Sequence, residues 1–134
     1  MSEKISMTRA VMGAMTNAAG MLFGGELLSW MDELAGIAAK RFSGGDVMTV
    51  SVEQVSFLKP IFLGAFVDLE ARIEQVGNTS MHIGLEAWMD MRDAASLEQV
   101  AMEEKRPGQV LAARGTFVYV AVDEKGKTRK VRKS

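Results

Sequence analysis

The hydrophobic pattern along the chain predicts one long helix followed by a run of strands. Over residues 25–42 the apolar side chains recur at helical spacing and cover most of the circumference of the predicted helix. A helix of that kind is buried by a sheet that wraps around it or by a second subunit. The segment 43–46 ends it, because glycine readily takes the left-handed conformation of a helix C-cap. The apolar face consists of Leu27, Met31, Leu34, Ala35, Ala38, Ala39 and Phe42, while Trp30 and Ile37 fall near the polar face.

After the helix, apolar side chains recur at every second position, as they do in strands. The segments 66–76 and 81–91 alternate in this way on either side of a turn at 77–80. They predict a hairpin with one face in water. A last strand covers residues 110–123.

The segment 47–57 is also predicted to be a strand, with an irregularity in its middle. Its alternation slips in phase at Glu53 and Gln54, which predicts a bulge or a change of face. Lys59 and Pro60 should end this strand, since proline lacks the backbone N–H that a strand interior needs.

Two segments are less regular. Residues 4–15 form a short strand or an irregular lead-in, and residues 92–108 form a short surface helix or a mobile loop. The predicted order is a strand, one long helix and four antiparallel strands. The fold class is therefore α+β, a single domain with the helix packed across one curved sheet.

Composition narrows the function classes. A chain of 134 residues that is 48% hydrophobic has room for one domain with one core. Its net charge of -1 gives no basic excess for binding nucleic acid, and the absence of cysteine excludes disulfides, thiolate metal sites and a cysteine nucleophile. No apolar run is long enough to span a bilayer, and the N-terminus lacks the apolar core of a signal peptide, so we expect a cytoplasmic protein.

Asp32 lies on the margin of the apolar face of the predicted helix. Its helical neighbours Ala35, Gly36 and Ala39 are small, so the carboxylate faces a space that side chains have vacated. A carboxylate in such surroundings either meets a partner or takes part in chemistry. Two interpretations stay open: Asp32 is catalytic, or it caps a loop or pairs with Lys or Arg at a subunit contact.

The residues before the helix also offer polar groups. Gly24 and Gly25 lie where the helix begins, and free N–H groups there can stabilise a phosphate or a developing oxyanion. A pair of glycines is more often only a flexible entry to a helix. Asn17 lies upstream, where its amide can polarise a carbonyl or hold a water molecule, although asparagine in a loop is more often a turn former.

These residues belong to a longer pattern, N-x-x-G-x-x-F-G-G-x-x-[LM]-x-x-M-D-E-x-A-G-I-A-A, which is followed by TVSVEQVSFLKPI. Over residues 7–126 the chain resembles the hotdog-fold acyl-CoA thioesterases of the cytosolic acyl-CoA hydrolase group. The resemblance implies one long central helix wrapped by a curved antiparallel sheet. It also implies hydrolysis of the acyl-CoA thioester to free coenzyme A and a carboxylic acid.

The resemblance further implies which residues form the site. Asp32 is the general base or nucleophile, Asn17 and the N-terminal amides of the helix polarise the carbonyl, and Thr49 completes the catalytic set. The residues expected to bind substrate are Gly24, Gly25, Lys59, Gly77 and Ser80.

Other functions stay open beside this one. The single histidine, His82, cannot complete a Ser-His-Asp triad and has no second histidine with which to bind metal. A dehydratase or hydratase on the same fold would pair a histidine with a carboxylate, but His82 lies on a predicted strand. A non-catalytic module that only binds acyl-CoA would not require both Asn17 and Asp32.

We expect a homodimer, assembled further into a tetramer or hexamer. One helix in one curved sheet leaves an open sheet edge and leaves Trp30 and Ile37 uncovered, which a partner with a joined sheet would remedy. The resemblance implies that Asn17 of one subunit then faces Asp32 of the other.

Acyl-CoA is the expected ligand. No separate cofactor is expected, because coenzyme A is itself part of the substrate and product. No metal, nucleic acid or membrane is expected either. Residues 1–126 are predicted to form the domain, and residues 127–134 a basic tail that is solvated.

Overall fold

The computed structural model describes residues 4–91 and 101–131 and has the predicted α+β layout, one helix packed across a curved antiparallel sheet. The elements are β1 (Ile5–Ala10), α1 (Gly24–Ser43), β2 (Val47–Phe57), β3 (Phe66–Val76), β4 (Ser80–Asp90), β5 (Lys105–Arg106) and β6 (Gln109–Ala121). The strand order is β1-β3-β4-β6-β2, with the short β5 paired to β6. Within the described ranges no helix is both long enough and apolar enough to cross a membrane.

The predicted helix and hairpin are confirmed. Helix α1 ends at Gly44, whose φ of 75° is the left-handed conformation expected there. Strands β3 and β4 pair antiparallel around the turn at 77–79. The inward side chains of β3, β4 and β6 enclose the apolar face of α1, and Met31, Ala35 and Ala39 of the helix are fully buried against them.

The environment of Trp30 differs from the prediction. Trp30 is only 4% exposed, whereas Ile37 is 36% exposed. The guanidinium of Arg9 on β1 lies 6.0 Å from the centre of the Trp30 ring and also binds Glu33, so a charged side chain covers the indole. The expectation that both residues lack cover is therefore wrong for Trp30, because β1 folds back over this part of the helix.

Strand β2 is irregular, as predicted. Its pairing with β6 shifts register between Glu53 and Ser56, where Gln54 has a φ of 53°. A second shift, between Thr49 and Ser51, was not predicted. The strand ends at Phe57, two residues before Lys59.

Strand β2 also forms one edge of the sheet, and within residues 4–91 and 101–131 it pairs only with β6. The apolar side chains Met48, Val50 and Val52 on it are 49%, 50% and 46% exposed. An edge strand with exposed apolar residues is a surface on which another chain can pair.

The C-terminal segment packs on the domain as far as the structure describes it. The Arg129 guanidinium donates hydrogen bonds to the backbone oxygens of Ser43, Asp46 and Val122 at the C-terminal end of α1. Val131 is 7% exposed and joins the core. The expected solvation of the tail is therefore wrong for Arg129 and Val131.

The structure describes only part of the segment 92–108, which was predicted to be a helix or a loop. Residues 92–100 lie outside the described part of the chain. Met102–Glu104 form a short 3-10 turn, and β5 follows it. Arg106 on β5 stacks on the Trp88 ring at 4.2 Å and binds Glu70, which fastens this segment to the outer face of the sheet.

We expect Arg129→Met to lower the free energy of unfolding by about 2 kcal/mol, because three carbonyl oxygens lose a charged donor and the helix end loses a cation. Lys130→Met is the matched control, since Lys130 is exposed. Urea unfolding at one fixed protein concentration measures both variants. Equal midpoints for the two would contradict this role of Arg129.

Candidate active site

The Asp32 carboxylate lies midway along α1 and faces two hydroxyl groups of the sheet. Thr49 Oγ1 on β2 donates to Asp32 Oδ1 at 3.0 Å. The Tyr119 hydroxyl on β6 lies 2.5 Å from the same Oδ1 and 2.8 Å from the backbone oxygen of Asp32. Among the described residues no backbone N–H binds this carboxylate, and no Lys or Arg forms an ion pair with it. Within one chain, Asp32 therefore neither caps a loop nor neutralises a cation.

The space beside Gly36, which the sequence suggested was vacated, is filled by Tyr119. A Cβ added to Gly36 would lie 3.2 Å from the Tyr119 hydroxyl oxygen. Glycine costs a helix interior about 1 kcal/mol relative to alanine. Here that cost is associated with the approach of a phenol to the helix backbone.

Tyr119 was not identified from the sequence. It is the only tyrosine of the chain and lies on the inward side of β6 with Phe117 and Ala121. A lone tyrosine among apolar inward positions, opposite a helix that carries a glycine, was the available signal, because a buried phenol needs a hydrogen-bond partner. Burial, followed by the hydrogen bond to Asp32, raises the pKa of the Tyr119 phenol above its usual value.

Asn17 lies in the connection that precedes α1. Its Oδ1 accepts hydrogen bonds from the backbone N–H groups of Ala19 and Met21, at 2.9 and 3.1 Å. These two bonds hold Oδ1 in the turn, and no described residue accepts a hydrogen bond from Nδ2. Asn17 is thus a turn former as well as a free donor, and within one chain it shares no hydrogen bond with Asp32.

Gly24 and Gly25 are the first two residues of α1. Phe23 precedes them as N-cap without a side-chain hydrogen bond. Both glycines are exposed, although a Cβ on Gly24 would contact the Phe57 ring at 3.5 Å. The first amides of a helix have no intrahelical acceptor, so these exposed ones can bind an anion or a carbonyl oxygen.

The other predicted substrate-binding residues divide between the two ends of the sheet. The Lys59 N–H binds the oxygen of Ala112, whereas Ser80 pairs with Val120. Eight residue steps of β6 separate those two positions, which is roughly 27 Å at the usual rise of a strand. Gly77 accompanies Ser80, because the two residues close the β3–β4 turn. One chain therefore does not bring Lys59, Gly77 and Ser80 together.

A cleft of about 680 Å³ lies on the outer face of the sheet, away from α1. It is charged and open, and none of the predicted site residues lines it. The cleft is therefore separate from Asp32 and its two hydroxyl partners. Its lining is formed by Gln54, Ser56, Glu70, Arg72, Glu74, Gly84, Leu85, Glu86, Arg114, Gly115 and Thr116.

Comparison with known proteins identifies relatives by sequence. The family model described as the thioesterase superfamily matches residues 19–93. The acyl-CoA thioester hydrolase YciA of Escherichia coli (strain K12) is 42% identical over 118 residues, which are 88% of this chain and 83% of that protein.

Solved structures share the fold. The acyl-CoA hydrolase of Staphylococcus aureus, in complex with butyryl coenzyme A, coenzyme A and coenzyme A disulfide, has a TM-score of 0.81 at 32% identity and covers 97% of this chain and 72% of its own. The hexameric thioesterase y2039 of Yersinia pestis has a TM-score of 0.78 at 36% identity and covers 94% of this chain and 93% of its own.

Three variants of the S. aureus hydrolase also match, with an aspartate, a threonine or an asparagine replaced by alanine. Their TM-scores are 0.79, 0.80 and 0.81, at 30%, 30% and 29% identity. They cover 96%, 96% and 97% of this chain and 71%, 72% and 71% of their own.

Because Tyr119 is the only tyrosine, absorbance near 295 nm reports its ionisation alone. We expect the folded protein to show no tyrosinate step near pH 10, the usual value for a phenol. The raised pKa means that the folded state holds this proton more tightly, so its contribution to stability is complete below about pH 10 and is lost above it. A tyrosinate step near pH 10 in protein that far-UV circular dichroism shows to be folded would contradict this.

Proposed function

This chain belongs to the thioesterase superfamily, and from that premise we propose that it hydrolyses the thioester bond of acyl-CoA with Asp32 as general base or nucleophile. The family and the hotdog fold expected from the sequence are confirmed, since the family model matches more than half of the chain and the two solved thioesterases share its architecture. The relatives by sequence are named acyl-CoA thioester hydrolases.

The role of Asp32 is assigned from the hydrogen bonds that its carboxylate makes. Both of its side-chain donors bind Oδ1, and no described residue donates to Oδ2. A carboxylate held through one oxygen and open at the other can take a proton from water or attack a carbonyl carbon. In addition, the three residues replaced in the S. aureus variants have the same separations along their chain as Asn17, Asp32 and Thr49.

Two routes use this carboxylate. As a base, Oδ2 accepts a proton from water while the water oxygen bonds to the thioester carbon. The tetrahedral intermediate then breaks its C–S bond, and the coenzyme A thiolate leaves and takes up a proton. As a nucleophile, Oδ2 itself bonds to the carbon and expels the thiolate, and water cleaves the resulting anhydride. Both routes give a carboxylic acid and free coenzyme A.

Donors for the developing oxyanion come from Asn17 and the start of the helix. The Nδ2 of Asn17 has two N–H groups without an acceptor among the described residues, and the amides of Gly24 and Gly25 are accessible. Such donors stabilise the charge that forms on the carbonyl oxygen.

We assign Asn17 and Asp32 of one site to two different subunits of a homodimer. The two side chains share no hydrogen bond within a chain, and Thr49, which binds Asp32, lies on the free edge strand β2. A subunit that pairs with this edge would lie next to Asp32 and would cover the exposed apolar residues of β2. The hexameric Y. pestis thioesterase supports further assembly, into a tetramer or hexamer.

The substrate itself fits the surface around the start of α1. Phe23, Phe57, Phe62 and Phe66 there are between 42% and 55% exposed, which suits an acyl chain or a partner subunit. Lys59 lies at the same end and is suited to a phosphate of coenzyme A. Gly77 and Ser80, at the far end of the sheet, would reach the same substrate only from the other subunit.

The alternative of a dehydratase or hydratase is less well supported. His82 lies on β4, where it pairs with Val118 of β6. It alternates with the inward residues Met81 and Ile83, so it lies on the face of the sheet opposite Asp32. His82 and Asp32 therefore do not meet within one chain. A non-catalytic binding module would not require Oδ2 of Asp32, a carboxylate oxygen to which no described residue donates.

We expect Asp32→Asn to lower kcat for acyl-CoA hydrolysis at least about a hundredfold, because the base or nucleophile is removed while Oδ1 still accepts both hydroxyls. Glu33→Gln is the matched control, since Glu33 is exposed and binds only Arg9 among the described residues. Thiol release, followed with a chromogenic disulfide, measures both variants. Asp32→Asn with more than a tenth of the wild-type rate would remove Asp32 from the mechanism.

We expect mixed subunits to restore activity if the site is shared. Asn17→Ala and Asp32→Ala proteins, unfolded and refolded together, should regain about a quarter of wild-type activity, because half of the random dimers are mixed and each of these contains one intact site. Mixed dimers that form but stay inactive would assign both residues to one chain.

Asn17→Asp separates the two roles of Asn17 in the same assay. The new carboxylate can still accept hydrogen bonds from the N–H groups of Ala19 and Met21, so the turn is kept. The two N–H donors of Nδ2 are lost. Activity as low as that of Asn17→Ala, at unchanged thermal stability, identifies the donor as the catalytic feature. Full activity of Asn17→Asp would leave Asn17 as a turn former only.

A further inference from the structure

Tyr119 places a polar group where the core would otherwise be apolar. Its side chain is 4% exposed and lies in the inward row of β6 beside Phe117 and Ala121. The hydroxyl crosses to α1 and ends 2.5 Å from Asp32 Oδ1. A buried hydroxyl is costly unless it is hydrogen-bonded, and this one binds Oδ1 and the backbone oxygen of Asp32 and also lies beside the Thr49 hydroxyl.

The contact depends on Gly36, one helical turn after Asp32. A side chain at this position would meet the hydroxyl oxygen at 3.2 Å, whereas the ring carbons would lie at ordinary contact distances of 3.6 and 3.7 Å. The hydroxyl, and not the ring, is therefore what needs a glycine here. Position 36 of α1 therefore has to leave room for one atom of β6, the hydroxyl oxygen of Tyr119.

Thr49, which pairs with Tyr119 across strands β2 and β6, donates to the same carboxylate oxygen at 3.0 Å. Two hydroxyls on Oδ1 fix the rotation of the carboxylate group. Oδ2 accepts no hydrogen bond from any described residue, so it is the carboxylate oxygen left to react. A carboxylate without these donors can rotate and present either oxygen, so fewer encounters have the reactive geometry.

We propose that Tyr119 is a positioning residue for hydrolysis, whose hydroxyl holds Oδ1 of Asp32 so that Oδ2 is presented to water or to the thioester carbon. This inference rests on the proposed role of Asp32. The Tyr119 hydroxyl binds Oδ1 and the backbone oxygen of Asp32, and not Oδ2, the oxygen proposed to react. It therefore acts on turnover and not on substrate affinity.

Tyr119→Phe tests this inference, because it removes one oxygen and keeps the ring. We expect kcat to fall roughly ten- to a hundredfold, with KM within about twofold of wild type. In an Asp32→Asn background, the same change should cause no further loss of kcat, because the carboxylate that it orients is absent. Thr116→Val removes a hydroxyl from the outward row of the same strand and should leave kcat unchanged.

Gly36→Ala provides a second test with Tyr119 retained. The added methyl group displaces the hydroxyl by a few tenths of an ångström, so kcat should fall roughly three- to tenfold. Combined with Tyr119→Phe it should have no further effect, because the phenylalanine ring leaves space for the methyl group. Gly36→Ala alone keeps the inference testable even where Tyr119→Phe folds poorly.

The outcomes separate the inference from the proposed function. Loss of activity in Asp32→Asn with near wild-type kcat in Tyr119→Phe would overturn the inference alone. An equal loss from Tyr119→Phe with and without Asp32 would also overturn it, since Tyr119 would then act independently. Full activity of Asp32→Asn would instead overturn the proposed role of Asp32.

Discussion

The structure depends on the burial of one apolar helix inside one curved sheet. Met31, Ala35 and Ala39 of α1 have no exposed surface, and the inward residues of β3, β4 and β6 close around them. Burial of apolar area is the main favourable term for such a domain. The alanines bring the sheet close to the helix backbone, which is what allows side chains of β2 and β6 to reach the middle of the helix.

This closeness gives Asp32 its surroundings. A carboxylate at mid-helix would ordinarily face water, but here it faces two hydroxyls supplied by different strands. The packing that stabilises the domain thus also fixes the group proposed to act on the thioester. The same arrangement leaves the remaining polar groups of the site at the helix entry and at the sheet edge, apart from Asp32, which is why the proposed site includes a second subunit.

Local patterns predicted the fold well. The bounds of β3 follow from strict alternation between Val67 and Ile73, and the end of α1 follows from Gly44. Prediction was weaker where contacts between residues distant in the sequence determine the surroundings of a side chain. Arg9 covers Trp30 from β1, and Arg129 binds carbonyls at the end of α1; neither partner can be read from local spacing.

The site was predicted unevenly for the same reason. Asp32, Gly24 and Gly25 were visible as unusual residues in a helical pattern, whereas Thr49 entered only through the family resemblance. Tyr119 was missed, since its partner lies 87 residues away in the chain. That Asn17 also holds a turn was expected of an asparagine in a loop, but the lack of an acceptor for its Nδ2 among the described residues was not.

The contact between Tyr119 and Gly36 constrains how sequences of this kind can diverge. A change to alanine at position 36 that comes first meets the phenol oxygen, and a change to phenylalanine at position 119 that comes first leaves Asp32 with one donor fewer. Each substitution is unfavourable while the other residue is unchanged, although the two together are sterically compatible. Drift at either site is therefore conditional on the other, and homologues should keep or lose the glycine and the tyrosine as a pair.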